Sequence, residues 1–336
     1  MHRESIVIVT PALADANNGN WQTARRWAGL LRPAYRVRLA ADWTADSADL
    51  THGGDALLIA LHARRSAPAV LAWRTAYPRR PLLLALTGTD LYRDIDVDDS
   101  AQRSLALADA LVVLNQLGPE RLPADCRAKC HVLLQSCASR RTLAHTGRHL
   151  RAVMVGHLRD EKDPQTCFRA VRRLAHRHDI LLDHIGHALS PSLGDEAAAL
   201  GSTHPHYRWL GGLSHAATRR RIQAAHLLVH PSRIEGGAHV VTEAMRCGTP
   251  VLASRIAGNL GLLGTGYTGV FEPGDDAGLV ALLCAARDDP AMLPALRRQT
   301  DLRAPLFSPE AEHATLHQLV RRLLAGLPPP QEIAHD

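Results

Sequence analysis

Short apolar runs alternate with amphipathic stretches almost from one end of the chain to the other. Runs of this length bounded by polar and turn residues read as buried strands. Stretches with apolar residues at three- and four-residue spacing read as helices. In the first half the pattern predicts strands at 5–10, 36–40, 56–60, 82–86, 110–114 and 131–134, with helices at 20–31, 63–77 and 100–108. A second series predicts strands at 151–155, 180–185, 207–210, 226–229, 250–253 and 269–271, with helices at 164–176, 214–224, 240–247 and 277–287. Strands alternating with helices build parallel sheets covered on both faces, so the expectation is an α/β chain of two doubly wound, Rossmann-like domains in tandem.

The polar stretch 138–149 has no apolar period and separates the two series. The expected domains are 1–140 and 150–306, joined by a linker at 141–149. A further helix, N-capped by Ser308, covers 307–325, and a Pro-rich tail, 326–336, is expected to be mobile. A length of 336 residues suits two domains of similar size, and ligands of such folds bind beyond the carboxyl ends of the strands, here in a cleft between the domains.

Composition narrows the classes. Hydrophobic residues are 46% and charged residues 21%, an ordinary globular balance. No apolar run approaches the roughly 20 residues that span a bilayer, and the start lacks the features of a signal peptide, so a cytoplasmic protein is expected. Six cysteines are too few for a disulfide framework, and the spacing of Cys126, Cys130, His131 and Cys137 matches no usual set of zinc ligands. The net charge is +6, but the arginines are scattered over many helices rather than gathered in a stripe with aromatics. That favours a small anionic substrate over nucleic acid.

The most informative segment runs from His230-Pro231-Ser232-Arg233-Ile234-Glu235 through Gly236-Gly237-Ala238-His239 to Val240-Val241-Thr242-Glu243-Ala244-Met245-Arg246-Cys247-Gly248-Thr249-Pro250-Val251. It reads as a strand end, a glycine loop, a short helix and a turn into another strand. Gly236 and Gly237 let the backbone approach a ligand, and the N–H groups opening the helix favour an anion. Glu235 lies on the loop and Glu243 is expected in the first turn of the helix. Either carboxylate alone is equally well read as a solvated or dipole-complementing residue. Gly156-His157-Leu158-Arg159-Asp160-Glu161-Lys162 follows the first strand of the second series, and Ala257-Gly258-Asn259-Leu260-Gly261 reads as a further glycine loop. Asp94-Ile95-Asp96 has the form of a metal-binding Asp-x-Asp, but its acidic surroundings read better as a helix start. No catalytic metal and no cofactor are expected.

In the first series, the loop Asn17-Asn18-Gly19-Asn20 precedes a helix, and Thr87-Gly88-Thr89-Asp90 follows a strand. Asparagines in such loops are ordinary cap and turn residues as well as candidate ligand contacts.

The Glu235-x7-Glu243 spacing, with Pro-Ser before it and Glu-Ala-Met-x-Cys-Gly-x-Pro-Val after it, resembles the motif of the family-4 retaining glycosyltransferases of GT-B architecture. The resemblance implies donor binding by Gly156, Arg159, Lys162, Glu235, Gly236, Gly237, Ala238, Glu243, Gly258 and Asn259. It places Glu235 near the transferred sugar, Glu243 on the nucleotide ribose, and Arg159 and Lys162 on the diphosphate, so that Glu235, Arg159 and Lys162 are the candidate catalytic residues. His157 stands where that family usually has arginine. The stretches 17–27, 86–94 and 156–164 are similar to those of one subfamily, the selenosugar synthases of selenoneine biosynthesis. That resemblance implies a UDP-N-acetylglucosamine donor and selenophosphate as a small anionic acceptor. The acceptor would be held by Asn17, Asn18, Gly19, Asn20, Thr87, Gly88, Thr89 and Asp90, with Arg25 or Arg93 beside them. Alternative readings are a retaining transferase acting on a hydroxyl, a UDP-sugar epimerase, a non-catalytic nucleotide-sugar sensor and a nucleic-acid binder.

Overall fold

A computed structural model describes residues 3–11, 19–47 and 54–327. The chain divides into two compact units, 1–135 with 309–336, and 136–308.

The first unit runs β1 (Ser5–Val9), α1 (Gly19–Leu31), β2 (Arg36–Ala40), β3 (Asp55–Leu61), α2 (Ala67–Ala76), β4 (Leu82–Leu86), α3 (Thr89–Tyr92), α4 (Asp99–Leu107), β5 (Ala110–Val113), α5 (Ala124–Arg127) and β6 (Cys130–Val132). Its six strands are ordered β2-β1-β3-β4-β5-β6 and all pair in parallel. Side chains alternate across the sheet, as a period of two requires. Val7, Val9, Leu58 and Ala60 pack into one core, and Ile6, Ile8, Leu57 and Ile59 into the other. Both faces are therefore covered, which is why strands such as Leu82–Leu86 read as continuous apolar runs.

Asp55, fully buried at the start of β3, ties three adjacent strands together. It accepts from Arg38 of β2 at 3.1 and 2.5 Å, from Trp43 Nε1 at 3.2 Å and from Ser5 of β1 at 3.3 Å. Trp43 in turn stacks edge-on against Trp73, with ring centroids 5.0 Å apart. Replacing Asp55 by alanine strands the Arg38 guanidinium and the indole N–H. The expected loss is about 3 kcal/mol, the low end for a broken buried pair because Arg38 retains some solvent. Chemical denaturation followed by tryptophan fluorescence checks it.

The second unit runs β7 (Leu150–Val155), α6 (Pro164–Arg173), β8 (Ile180–Ile185), α7 (Pro191–Thr203), β9 (Tyr207–Trp209), α8 (His215–Ala224), β10 (Leu227–His230), α9 (His239–Met245), β11 (Val251–Ser254), α10 (Ala257–Leu263), β12 (Val270–Phe271), α11 (Asp276–Asp288) and α12 (Met292–Arg303). Its parallel strands are ordered β12-β11-β10-β7-β8-β9. A final helix, α13 (Pro309–Leu324), returns to the first unit. Leu316, Leu319, Val320 and Leu323 enter the core of Ile6, Ile8 and Trp27, and Trp27 Nε1 donates to Glu312 at 3.1 Å.

The twelve strands fall where the apolar runs place them, with ends shifted by one or two residues. The remaining differences have local causes. The division between units falls after Gln135, ahead of the polar stretch, because 136–149 is fastened to the second unit: Arg140 N donates to Arg246 O and Thr142 Oγ1 to Cys247 O. The helix expected from residue 63 starts at Ala67, because residues 62–66 form a tight turn closed by Ser66 Oγ on Leu61 O at 2.6 Å. The segment 257–261, read as a loop, is the start of α10. Four further helices were not expected from the pattern: α3 and α5, of four residues each, and the longer α7 and α12. Among the described residues no helix is long and apolar enough to cross a membrane.

Candidate active site

Strand order reverses in the second sheet where β7 and β10 lie side by side, the position at which sheets of this kind bind ligands beyond their carboxyl ends. The loop after β7 carries Gly156, Arg159 and Lys162, and the loop after β10 carries Glu235, Gly236, Gly237 and Ala238. The two are fastened together. Lys162 donates to Glu235 in a very short ion pair, Arg233 N donates to Glu161 O at 2.9 Å, and the Arg233 guanidinium lies 3.2 Å from Asp163.

Glu235 is buried at the centre of this junction. Burial alone would push its carboxyl up, but the Lys162 ammonium, and then His230 at the end of β10 with Nε2 3.1 Å away, more than reverse this. Glu235 is therefore held well below the usual carboxylate range, as an obligate acceptor. Lys162 has three N–H donors. One is spent on Glu235, and the others remain for an anion. Ser232 Oγ and Asn259 Oδ1 are buried nearby with no hydrogen-bond partner among the described residues.

Gly258, in the first turn of α10, lies directly against this loop: a Cβ there would sit 2.0 Å from the Glu235 carbonyl oxygen and 3.0 Å from its Cβ. The glycine is needed for close packing of helix on loop, not for a turn. Asn259 uses its amide to tie α10 to β11, donating to Ser254 O and Ser254 Oγ at 3.0 Å.

Gly156 is enclosed. Its carbonyl accepts from His184 Nε2 at 3.2 Å, and the Tyr207 hydroxyl lies 3.1 Å from His184 Nδ1. Burial pushes His184 down to about 4, so the neutral ring donates at Nε2 and accepts at Nδ1. His157, in the place usual for arginine, accepts from His187 N at 3.1 Å and stacks on the His187 ring. Arg159, the substitute cation, is 46% exposed with its nearest acid, Glu161, 3.9 Å away.

The second carboxylate, Glu243, is buried one turn into α9 rather than in its first turn, because that helix is short and begins at His239. It lies beside groups that the sequence did not single out: His215 Nε2 at 2.5 Å, His239 Nε2 at 3.7 Å and Arg219 Nε at 3.8 Å. His239 has a visible signal, its spacing of four residues before Glu243 on one helix. His215 and Arg219 have none, since they arrive by the packing of α8 on α9.

In the first unit, Asn17 and Asn18 lie outside the described residues, while Gly19 and Asn20 open α1. Asp90 has its oxygens committed to the backbone: Thr87 N and Gly88 N donate to Oδ1 at 2.9 and 2.8 Å, and Ala63 N donates to Oδ2 at 3.0 Å. These three bonds hold the loop in shape. Gly88 turns the chain at a φ of 143°, a value that favours glycine. Thr89 meets His62, a buried residue at the unusual φ of 76° just after β3, with 3.1 Å between Oγ1 and Nε2. Burial holds His62 below its ordinary range against the pull of Asp90. Because its Nδ1 accepts from Arg65 N at 3.3 Å, the Nε2–H points to Thr89. Of the two cations considered beside these loops, Arg25 is exposed on α1, and Arg93 pairs with Asp94 at 3.1 Å.

The Asp-x-Asp sequence forms no cation site. Asp94 is also taken by Arg64 at 2.8 Å and Asp96 by Arg121 at 2.6 Å, while Asp98 caps α4.

Residues 138–300 match the family model of the glycosyl transferases group 1. A 76-residue stretch is 43% identical to D-inositol 3-phosphate glycosyltransferase 1 of Catenulispora acidiphila, covering 22% of this chain and 18% of that relative. Over the whole fold, the chain is similar to sucrose-phosphate synthase from Thermosynechococcus elongatus, with a TM-score of 0.76 at 16% identity over 96% of this chain and 100% of that one. It is also similar to Anabaena HepE in complex with UDP and glucose, with a TM-score of 0.71 at 14% identity over 97% and 100%. Residues 138–300 thus carry the likeness to the group 1 glycosyl transferases, and the two six-stranded parallel sheets together have the fold of the GT-B glycosyltransferase structures they resemble.

Proposed function

We propose that the protein transfers N-acetylglucosamine from UDP to a selenium nucleophile, selenophosphate, forming a C1–Se bond as the C1–O bond to UDP breaks. The observation that carries the donor half is the buried Glu235, kept ionised by Lys162 at the carboxyl ends of β7 and β10. A sugar hydroxyl can donate to that carboxylate, and the remaining Lys162 donors, with the exposed Arg159, can neutralise the departing diphosphate. Glu243 reads the ribose. Binding of UDP and UDP-glucose by HepE supports a uridine donor.

The acceptor half rests on the likeness of residues 17–27, 86–94 and 156–164 to selenosugar synthases. It also fits the chemistry, since an anionic selenium nucleophile needs no general base. Gly19, Asn20, Thr87, Gly88 and Thr89 would contact the acceptor, with Asp90 and His62 holding their loop in shape. A second reading, a phosphorylated polyol whose hydroxyl attacks the sugar C1, draws on the inositol-phosphate relative.

Mass spectrometry of products from UDP-sugars, with and without selenophosphate, separates these readings. A selenium-bearing sugar together with UDP is expected only when both substrates are present. UDP-sugar consumption that ignores selenophosphate but responds to an inositol phosphate would replace the first reading by the second.

A further inference from the structure

We propose that His215, His239 and Glu243 form a binding site for a divalent transition metal, zinc above all, and that the metal competes with the nucleotide for Glu243. The competition rests on the reading of Glu243 as the ribose-binding glutamate; the metal site does not.

The three side chains each bring one ligand atom, and these atoms lie within 4.8 Å of one another. Among the described residues they are the one such group of histidine, cysteine and carboxylate. Around a tetrahedral zinc with bonds of about 2.0–2.1 Å, ligand atoms stand roughly 3.3 Å apart. Glu243 Oε1 and His239 Nε2, at 3.7 Å, are already near that separation, because a spacing of four residues stacks them on one face of α9. His215 Nε2 is hydrogen-bonded to Glu243 Oε1 at 2.5 Å and must swing back by less than an ångström. Its side chain, 72% exposed at the start of α8, is free to do so. Two imidazoles and one carboxylate suit zinc, cobalt or nickel and suit magnesium or calcium poorly. The exposed side of His215 leaves the remaining coordination position to water.

Arg219, with Nε 3.8 Å from the same carboxylate oxygen, opposes a cation. Its guanidinium is turned in part to Ala138 O, to which Nη2 donates at 2.7 Å. The net charge of the three ligands is −1 when both rings are neutral, so a dication still gains from the site. A metal there draws the Glu243 carboxylate away from any ribose hydroxyl.

The test uses the untagged full chain, stripped of metal and titrated with Co²⁺ under visible absorption. One equivalent of cobalt should give d–d bands that zinc abolishes, and H215A and H239A, both outside the core, should each lose the bands. Bands that survive unchanged in the H215A/H239A double variant would overturn the site. Calorimetry then measures UDP binding with and without zinc. Zinc should weaken UDP binding to the wild type by about tenfold or more, a cost of about 1.4 kcal/mol, and not to H215A, which also reports chelation of zinc by UDP itself. A cobalt site lost in both variants, with UDP affinity indifferent to zinc, would leave the metal site standing but overturn the competition, and UDP affinity unchanged in Glu243→Ala would separately overturn the ribose role of Glu243.

Discussion

Replacing Lys162 by alanine should lower turnover by roughly 10²–10³-fold, the usual cost of removing one preorganised charge from a reacting anion. It should also destabilise the second unit by about 3–5 kcal/mol, since Glu235 would remain buried and ionised without its partner. The pH dependence follows from the same pair. With Lys162 present, the folded carboxyl titrates below its unfolded value of about 4.3. Its contribution is therefore complete above that pH and is lost as the pH falls through the folded value. In the variant, burial acts with much less opposition, the carboxyl rises, and lowering the pH from 7 towards 4 relieves the penalty. The stability gap between the two proteins should narrow over that range in denaturant titrations. A double replacement, Lys162→Met with Glu235→Leu, should recover stability without recovering turnover. Wild-type turnover in Lys162→Ala would remove this lysine from the chemistry.

The second large effect is expected at Gly258. An alanine Cβ cannot remain 2.0 Å from the Glu235 carbonyl oxygen, so either α10 or the loop after β10 must give way by an ångström or more. Overpacking of this kind costs about 1–3 kcal/mol, and a misplacement of about 1 Å at a reacting centre costs on the order of 10²-fold in rate. Steady-state kinetics of Gly258→Ala should show that loss while circular dichroism stays near wild type. Near-normal turnover would mean that the position of Glu235 does not matter to the reaction.

Most strands were legible because burial on both faces makes them apolar almost throughout, as in Leu82–Leu86, while the edge strand Arg36–Ala40 is only partly buried and keeps two arginines. Lys162 and Glu235 were named through the family resemblance, and they meet because parallel strands deliver the loops at their carboxyl ends to one side of a sheet, so residues 73 apart converge. Helices were harder to read. The α7 segment carries two glycines and mostly small side chains, and α12 has a proline in its first turn, so neither shows a strong apolar stripe. Gly258 and Gly261 suggested a loop where the chain is helical, and Gly258 serves the close packing of that helix on the loop of Glu235. The surroundings of Glu243 were illegible, because His215 and Arg219 belong to another helix and nothing local to them announces a carboxylate partner. Asp90 was legible as a loop residue, but only its hydrogen bonds reveal that it braces the backbone.

The return of α13 to the first unit sets an order of assembly. A ribosome releases residues 136–308 before it has made the helix that supplies Leu316, Leu319 and Val320 to the core around Ile6 and Trp27. The second unit can therefore close as soon as it emerges. The first unit, though begun earlier, waits with one face of its sheet covered by α1 but not yet by the last helix, and for that interval it exposes apolar surface that a chaperone can shield.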